Sequence, residues 1–305
     1  MDRKQIREDE YYRDCTLCPR NCHISRLDGK VGYCRAGAEI TAARAALHHW
    51  EEPCISGRKG SGTVFFSGCS LGCVYCQNYD ISRNLAGKII TTDRLAEIFL
   101  ELQEQKAHNI NLVTPGHYVP SIIKAIGRAK EGGLHIPVVY NSSGYESVET
   151  VKMLEGVVDI YLPDFKYYGQ EMAYRYSGCR DYFEAASQAL EEMVRQTGEA
   201  VFEEEIMRKG VIVRHLLLPG GLADSKKIIK YLYETYKDTI YISIMNQYTP
   251  LEQVKEYPEI NRKVTEKEYE ALVDYALELG VENGFIQEGE TASESFIPAF
   301  DYRGI

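Results

Sequence analysis

The stretch Phe65-Phe66-Ser67-Gly68-Cys69-Ser70-Leu71-Gly72-Cys73-Val74-Tyr75-Cys76-Gln77-Asn78 decides how the chain is read. Three cysteines fall at C-x3-C-x2-C, directly after a short apolar run. Three thiolates on one tight loop can hold three irons of a cubane 4Fe-4S cluster, which normally takes four cysteines. No fourth cysteine follows nearby, so one iron is left for a ligand that is not protein. An open metal position points to catalysis rather than structure, as it does at zinc sites.

Working outward, the 305 residues suffice for one large core, or one core plus a small annex. The formal net charge is -10 and the pI about 5.3. That disfavours a general nucleic-acid binder, whose footprint is basic. No apolar run approaches the ~20 residues that span a bilayer. Met1-Asp2-Arg3-Lys4-Gln5 is charged and carries no apolar core behind it, which argues against a signal peptide. A cytoplasmic location with no membrane partner is expected, and there nine cysteines point to metal rather than disulfides. The bias to 23 tyrosines against one tryptophan suggests no function by itself.

Residues 1–60 read as a cysteine-rich annex. Cys15, Cys18, Cys22 and Cys34 fall at C-x2-C-x3-C-x11-C, with Gly29 and Gly32 near the last of them. Four thiolates can close a site for zinc or for an auxiliary iron-sulfur cluster, and the spacing separates neither. A segment this poor in apolar residues needs such a staple. Cys54 could substitute for a ligand, but a lone cysteine is more often a small buried residue, and Cys179 reads the same way.

Residues 61–305 alternate short apolar strands with amphipathic helices. Strands are expected at 63–66, 111–114, 136–140, 157–162, 211–217 and 239–244, with a short one at 285–287. Helices are expected at 92–107, 119–131, 147–155 and 181–197, and another capped by Asp224 or Ser225. The clearest begins with a Thr265/Glu268 capping box and ends at Gly280, with Tyr269, Leu272, Val273, Ala276 and Leu277 as its buried stripe. Six strand-helix repeats argue for parallel strands, which an open sheet and a barrel accommodate equally.

In such folds ligands bind at the carboxyl ends of the strands. Each strand here delivers polar or glycine-rich residues to that rim: Thr114-Pro115-Gly116-His117, Asn141-Ser142-Ser143-Gly144, Asp164-Phe165-Lys166, Arg214-His215 and Met245-Asn246-Gln247. Any one alone is an ordinary loop or cap; all together with the cysteine loop mark a site. Glu203-Glu204-Glu205 reads as a solvated face.

The cysteine loop, with an aromatic residue just before its third cysteine, resembles the radical S-adenosylmethionine (radical SAM) superfamily. Together with Asp164-Phe165-Lys166 and Arg214-His215, it resembles the glycyl-radical-enzyme activases, especially proteins related to pyruvate formate-lyase activating enzyme. The resemblance implies a partial (β/α)6 TIM-like barrel. It implies that Cys69, Cys73 and Cys76 hold a 4Fe-4S cluster whose open iron chelates S-adenosylmethionine. Reductive cleavage then gives a 5′-deoxyadenosyl radical that abstracts hydrogen from a substrate, such as a glycyl residue of a partner enzyme. It further implies that Asp164, Lys166 and His215 hold the cosubstrate, with Tyr75 near the adenine and Asn78 closing the motif. The Asn141-Ser142 turn with Asp164 takes the place of a monovalent-cation site, although Asn141 stands where an aspartate is usual. The Gly-Gly-Glu element that meets the methionine amino group is absent, leaving Thr114 or backbone carbonyls for that role. Flavodoxin or ferredoxin would be the reductant. No catalytic side chain is singled out. The rival readings are a radical SAM enzyme acting on a peptide or small molecule, a non-catalytic iron-sulfur electron-transfer protein, and a zinc-stabilised binding module.

Overall fold

The computed structural model describes residues 7–287 and 298–305. Its frame is one sheet of ten strands: β1 (Ile40–His48), β2 (Ser61–Phe66), β3 (Lys88–Ile90), β4 (Ile110–Val113), β5 (Val138–Ser142), β6 (Ile160–Pro163), β7 (Val201–Glu203), β8 (Ile206–Leu216), β9 (Tyr241–Met245) and β10 (Gly284–Ile286). Strands β2, β4, β5, β6, β8, β9 and β10 lie side by side in chain order, and every neighbouring pair is parallel. The winding is single, without the reversal of a doubly wound sheet. The order is therefore that of an α/β barrel segment. Among the described residues β10 and β3 are the two edges, and they do not pair.

Side chains alternate between the two faces of the sheet. Val138, Tyr140, Tyr161, Val211 and Val213 point outward into the main core beneath the helices. Val139, Ile160, Leu162 and Ile212 point inward. The inner face is filled by the short helix Pro53–Ser56, whose Cys54 and Ile55 pack on those inward residues. Cys54 is thus a buried apolar residue of the barrel floor. Proline at the first helical position suits so short a turn.

The helices follow their sequence signals closely. Thr91 caps Thr92–Glu104 by accepting from the Arg94 N–H, and Val119–Glu131 has the expected bounds. The capping box of Glu266–Leu279 is complete, and Gly280 ends it in the left-handed conformation. Two details differ. Leu277 is 64% exposed rather than part of the buried stripe. The helix Leu222–Tyr236 is capped by Gly221, because Asp224 and Ser225 are otherwise engaged. Asp224 accepts from the Tyr168 and Gly169 N–H groups, and Ser225 bonds His215.

β1 carries no strand signal, since its alanines favour helix in isolation. It is a strand because antiparallel pairing with β2 and β3 fixes it, and because the tail lies on it through Ala45 N–H to Arg303 and Tyr302 N–H to Ala43. Residues 40–48, read as annex, thus belong to the sheet. The rest of the annex is tied to the helical layer. Tyr12 shares a hydrogen bond of 2.8 Å with Ser121, and Thr150 Oγ1 donates to the Leu17 carbonyl. Arg26, 2% exposed, donates to the carbonyls of Gly37 and His117. Glu203, Glu204 and Glu205 are exposed at the β7–β8 turn, as expected.

Candidate active site

At the carboxyl edge of the sheet the inner face opens into a cavity of about 390 Å³. Cys69, Cys73 and Cys76 line it, and no other cysteine does among the described residues. The loop that presents them needs its glycines. Gly68 has φ 94° and Gly72 has φ 65°, a region that side chains rarely enter. A Cβ on Gly72 would also overlap the Arg83 guanidinium. Every sulfur accepts a hydrogen bond: Gly72 N–H to Cys69 at 3.4 Å, Ser177 Oγ to Cys73 at 3.1 Å, and Ser82 Oγ to Cys76 at 3.4 Å. Burial pushes the Cys69 thiol up to about 12 and also raises Cys76. Among the described residues no three donors converge closely enough for a single metal ion. A cubane instead takes one thiolate per iron, so spread thiols around a shared cavity fit it.

A chain of part-buried charges forms the wall beside the thiols. Lys166 Nζ lies 2.6 Å from Asp164 Oδ2, and Arg214 Nε lies 2.9 Å from Asp164 Oδ1. Arg214 continues to Glu51 at 2.9 Å and donates to Asn141 Oδ1 at 2.6 Å. Burial would raise the Asp164 carboxyl, but Lys166 and Arg214 outweigh it and hold it below its ordinary value. Lys166 is raised, burial being overcome by Asp164 and Cys73. The Asp164 carboxylate, which the resemblance assigns to a monovalent cation, is thus held between two protein cations.

Seven of the eight cosubstrate residues expected from sequence line this cavity: Tyr75, Asn78, Thr114, Asn141, Ser142, Asp164 and Lys166. Thr114 has φ 58°, costly for a β-branched residue. His215 does not belong with them. It follows Arg214 on β8, so alternation turns it to the outer face. There Nδ1 donates to the Phe165 carbonyl at 2.7 Å and Nε2 accepts from Ser225 at 2.8 Å. Burial lowers its pKa and keeps it neutral. Its part is to hold β8 against the helix Leu222–Tyr236.

The sequence reading missed the part of this wall that continues from Glu51. His48, Trp50, Glu51 and Glu52, between β1 and the floor helix, all line the cavity. Glu51 accepts from Asn111 at 3.0 Å and Asn141 at 3.3 Å. Glu52 is 8% exposed, and its Oε2 has no hydrogen-bond partner among the described residues. Burial raises both carboxyls and lowers His48 to about 4. The available signal was two adjacent glutamates between a tryptophan and a proline, flanked by strand residues.

The tyrosines gather at the same place. Tyr75 packs edge-on against Tyr167, Tyr176 and Tyr248 at 6.0–6.4 Å between centroids. Tyr167 shares a 2.7 Å hydrogen bond with Ser177, which holds Cys73. Cys179 is 4% exposed behind this layer. In the annex, burial raises Cys18 and Cys34, and Cys15 lies within electrostatic reach of both. Cys22 likewise lies within reach of Cys34.

Residues 56–162 match the family model of the 4Fe-4S single cluster domain. Among solved structures, a radical SAM methyltransferase from Sphaerobacter thermophilus has a similar fold. Its TM-score is 0.51 at 11% identity, over 75% of this chain and 67% of that one. Native anSMEcpe with bound AdoMet matches with a TM-score of 0.48 at 16% identity, over 70% of this chain and 57% of that chain. The likeness to the methyltransferase shows a shared α/β fold. The chain is 32% identical over 275 residues to uncharacterized protein MJ0674 of Methanocaldococcus jannaschii, covering 87% of this chain and 75% of that protein. The chain belongs to the same family as that protein. No helix among the described residues is long and apolar enough to cross a membrane.

Proposed function

We propose that this protein is a radical SAM enzyme whose cavity holds a 4Fe-4S cluster on Cys69, Cys73 and Cys76 with S-adenosylmethionine beside it. The observation that carries this is a cavity with three thiols, no fourth among the described residues, and a fixed array of part-buried charge next to them. When bound, the pair supplies a 5′-deoxyadenosyl radical that takes hydrogen from a substrate. The chain's own residues bind, orient and exclude water. The glycine turns and the three donors to sulfur set the thiols. Lys166, within electrostatic reach of Cys73 and Cys76, offers a cation to the cosubstrate carboxylate. Thr114, Asn141 and Ser142 supply hydrogen-bonding groups at the ends of β4 and β5. Asp164 and Arg214 lock each other and leave Lys166 fixed. The tyrosine layer closes the cavity behind Tyr75.

The activase-like resemblance of the cluster loop and Asp164-Phe165-Lys166 supports a glycyl residue of a partner protein as substrate. A peptide or small molecule is the alternative. Flavodoxin or ferredoxin supplies the electron. The annex thiols, which do not converge on one point, suit a second cluster with one thiolate per iron better than a single zinc ion. The test is anaerobic reconstitution with iron and sulfide, then S-adenosylmethionine and a reductant. 5′-Deoxyadenosine is expected, and deuterium transfer into it from labelled candidates identifies the substrate. A triple Cys69/Cys73/Cys76→Ala variant that keeps its 5′-deoxyadenosine formation would sink the proposal.

A further inference from the structure

Arg20 lies between Cys18 and Cys22 in the annex, yet its guanidinium ends at the catalytic loop. Nε donates to the Ser70 carbonyl at 3.0 Å and Nη2 to the Leu71 carbonyl at 3.2 Å. Nη2 also reaches the Ser177 carbonyl at 2.7 Å, and Nη1 the Gly178 carbonyl at 2.7 Å. One planar fork therefore joins the residues between Cys69 and Cys73 to the last turn of the helix Gln170–Ser177. That turn carries the Ser177 hydroxyl that donates to Cys73 Sγ. A guanidinium suits this position because five fixed donors can meet several carbonyls at once, and because a helix C-terminus favours a cation.

A second contact holds the fork. The Tyr33 ring lies under Arg20, 3.7 Å from the guanidinium carbon to the centroid, and Arg83 also lies over this ring at 4.5 Å. Arg83 fills the space above Gly72. Tyr33 precedes Cys34, so one cysteine-bearing turn of the annex supplies the Arg20 cation and the other the ring that holds it and Arg83 beside the cluster loop.

We propose that Arg20 is a positioning residue for the catalytic cluster: it fixes the Cys69–Cys73 loop and, through Ser177, the hydrogen bond to Cys73. The annex then serves to hold Arg20. This rests on the radical SAM reading only for the cluster itself, because the clamp is made by the chain alone.

The test uses full-length Arg20→Gln and Arg20→Lys, with Ser177→Ala as a variant that keeps the fork. Amide hydrogen exchange is followed before the cluster is assembled. Exchange of residues 70–76 should rise at least ~tenfold in Arg20→Gln, and also in Arg20→Lys, since a single ammonium cannot join four carbonyls. After reconstitution, Arg20→Gln and Ser177→Ala should both shift the reduction potential and the electron paramagnetic resonance spectrum. Ser177→Ala should leave the exchange of residues 70–72 unchanged. Native exchange in Arg20→Gln, or full rescue by Arg20→Lys, overturns the proposal. If Arg20→Gln fails to fold, Arg20→Lys and Ser177→Ala carry the same comparison. Absence of 5′-deoxyadenosine from the wild type would remove the enzymatic reading while leaving the exchange result standing.

Discussion

The hydroxyl of Ser177 donates to Cys73 Sγ across 3.1 Å, although 104 residues separate them. Tyr167 holds the same hydroxyl at 2.7 Å. Hydrogen bonds to a cluster's sulfurs help set its potential. Donors stabilise the more negative, reduced state. Tyr167→Phe loosens Ser177 and should therefore make the cluster harder to reduce, with a smaller shift than Ser177→Ala. Redox titration of reconstituted protein checks this.

Burial pushes Cys69 up to about 12 and raises Cys76, so without metal these thiols are protonated near neutral pH. Iron binds the thiolate, and binding must release those protons. Cluster assembly should release protons into weakly buffered solution and should speed up as the pH rises from 7 to 9. A pH-indicator dye read alongside cluster absorbance measures both.

Among the described residues Arg214 is the only cation in contact with Glu51 and one of two on Asp164, and all three side chains are largely shielded from water. Arg214→Met leaves Glu51 without its counter-charge. The expected loss is ~3–5 kcal/mol of stability, as for breaking one side of a buried ion pair. Urea unfolding gives the value. Glu52→Gln acts in the opposite direction, since that carboxyl has an unpartnered oxygen and its burial is unfavourable to charge. It should unfold at equal or higher urea than the wild type at pH 8.

Glu146 is a further buried carboxyl, raised to about 7 by burial and bonded by the Tyr140 hydroxyl at 3.1 Å. Between its unfolded value near 4.5 and its folded value near 7, the native state holds a proton that the unfolded state has lost. Stability therefore falls as pH rises through this window and levels off above it. Glu146 should cost about 3 kcal/mol at pH 8 relative to pH 4.5. Glu146→Gln should flatten this part of the stability–pH curve, as denaturant titrations at a series of pH values would reveal.

Local chemistry alone determined much of this protein. Three cysteines and two glycines in ten residues define a cluster loop wherever they fold, because ligand spacing and positive φ are properties of a short segment. The capping box at Thr265 and the buried strands were legible for the same reason. Tertiary structure decided what depended on partners distant in sequence. The alanines of β1 became a strand through pairing with β2 and the tail. Arg214 and His215 are adjacent in sequence, and only the sheet determines which faces the cavity. Glu51 and Glu52 become site residues only when the floor helix turns them inward. Arg20 looks like an ordinary annex charge until the fold carries it to the Cys69–Cys76 loop. In each case the deciding energy comes from burial and pairing across the sheet or between distant segments, which no local window contains.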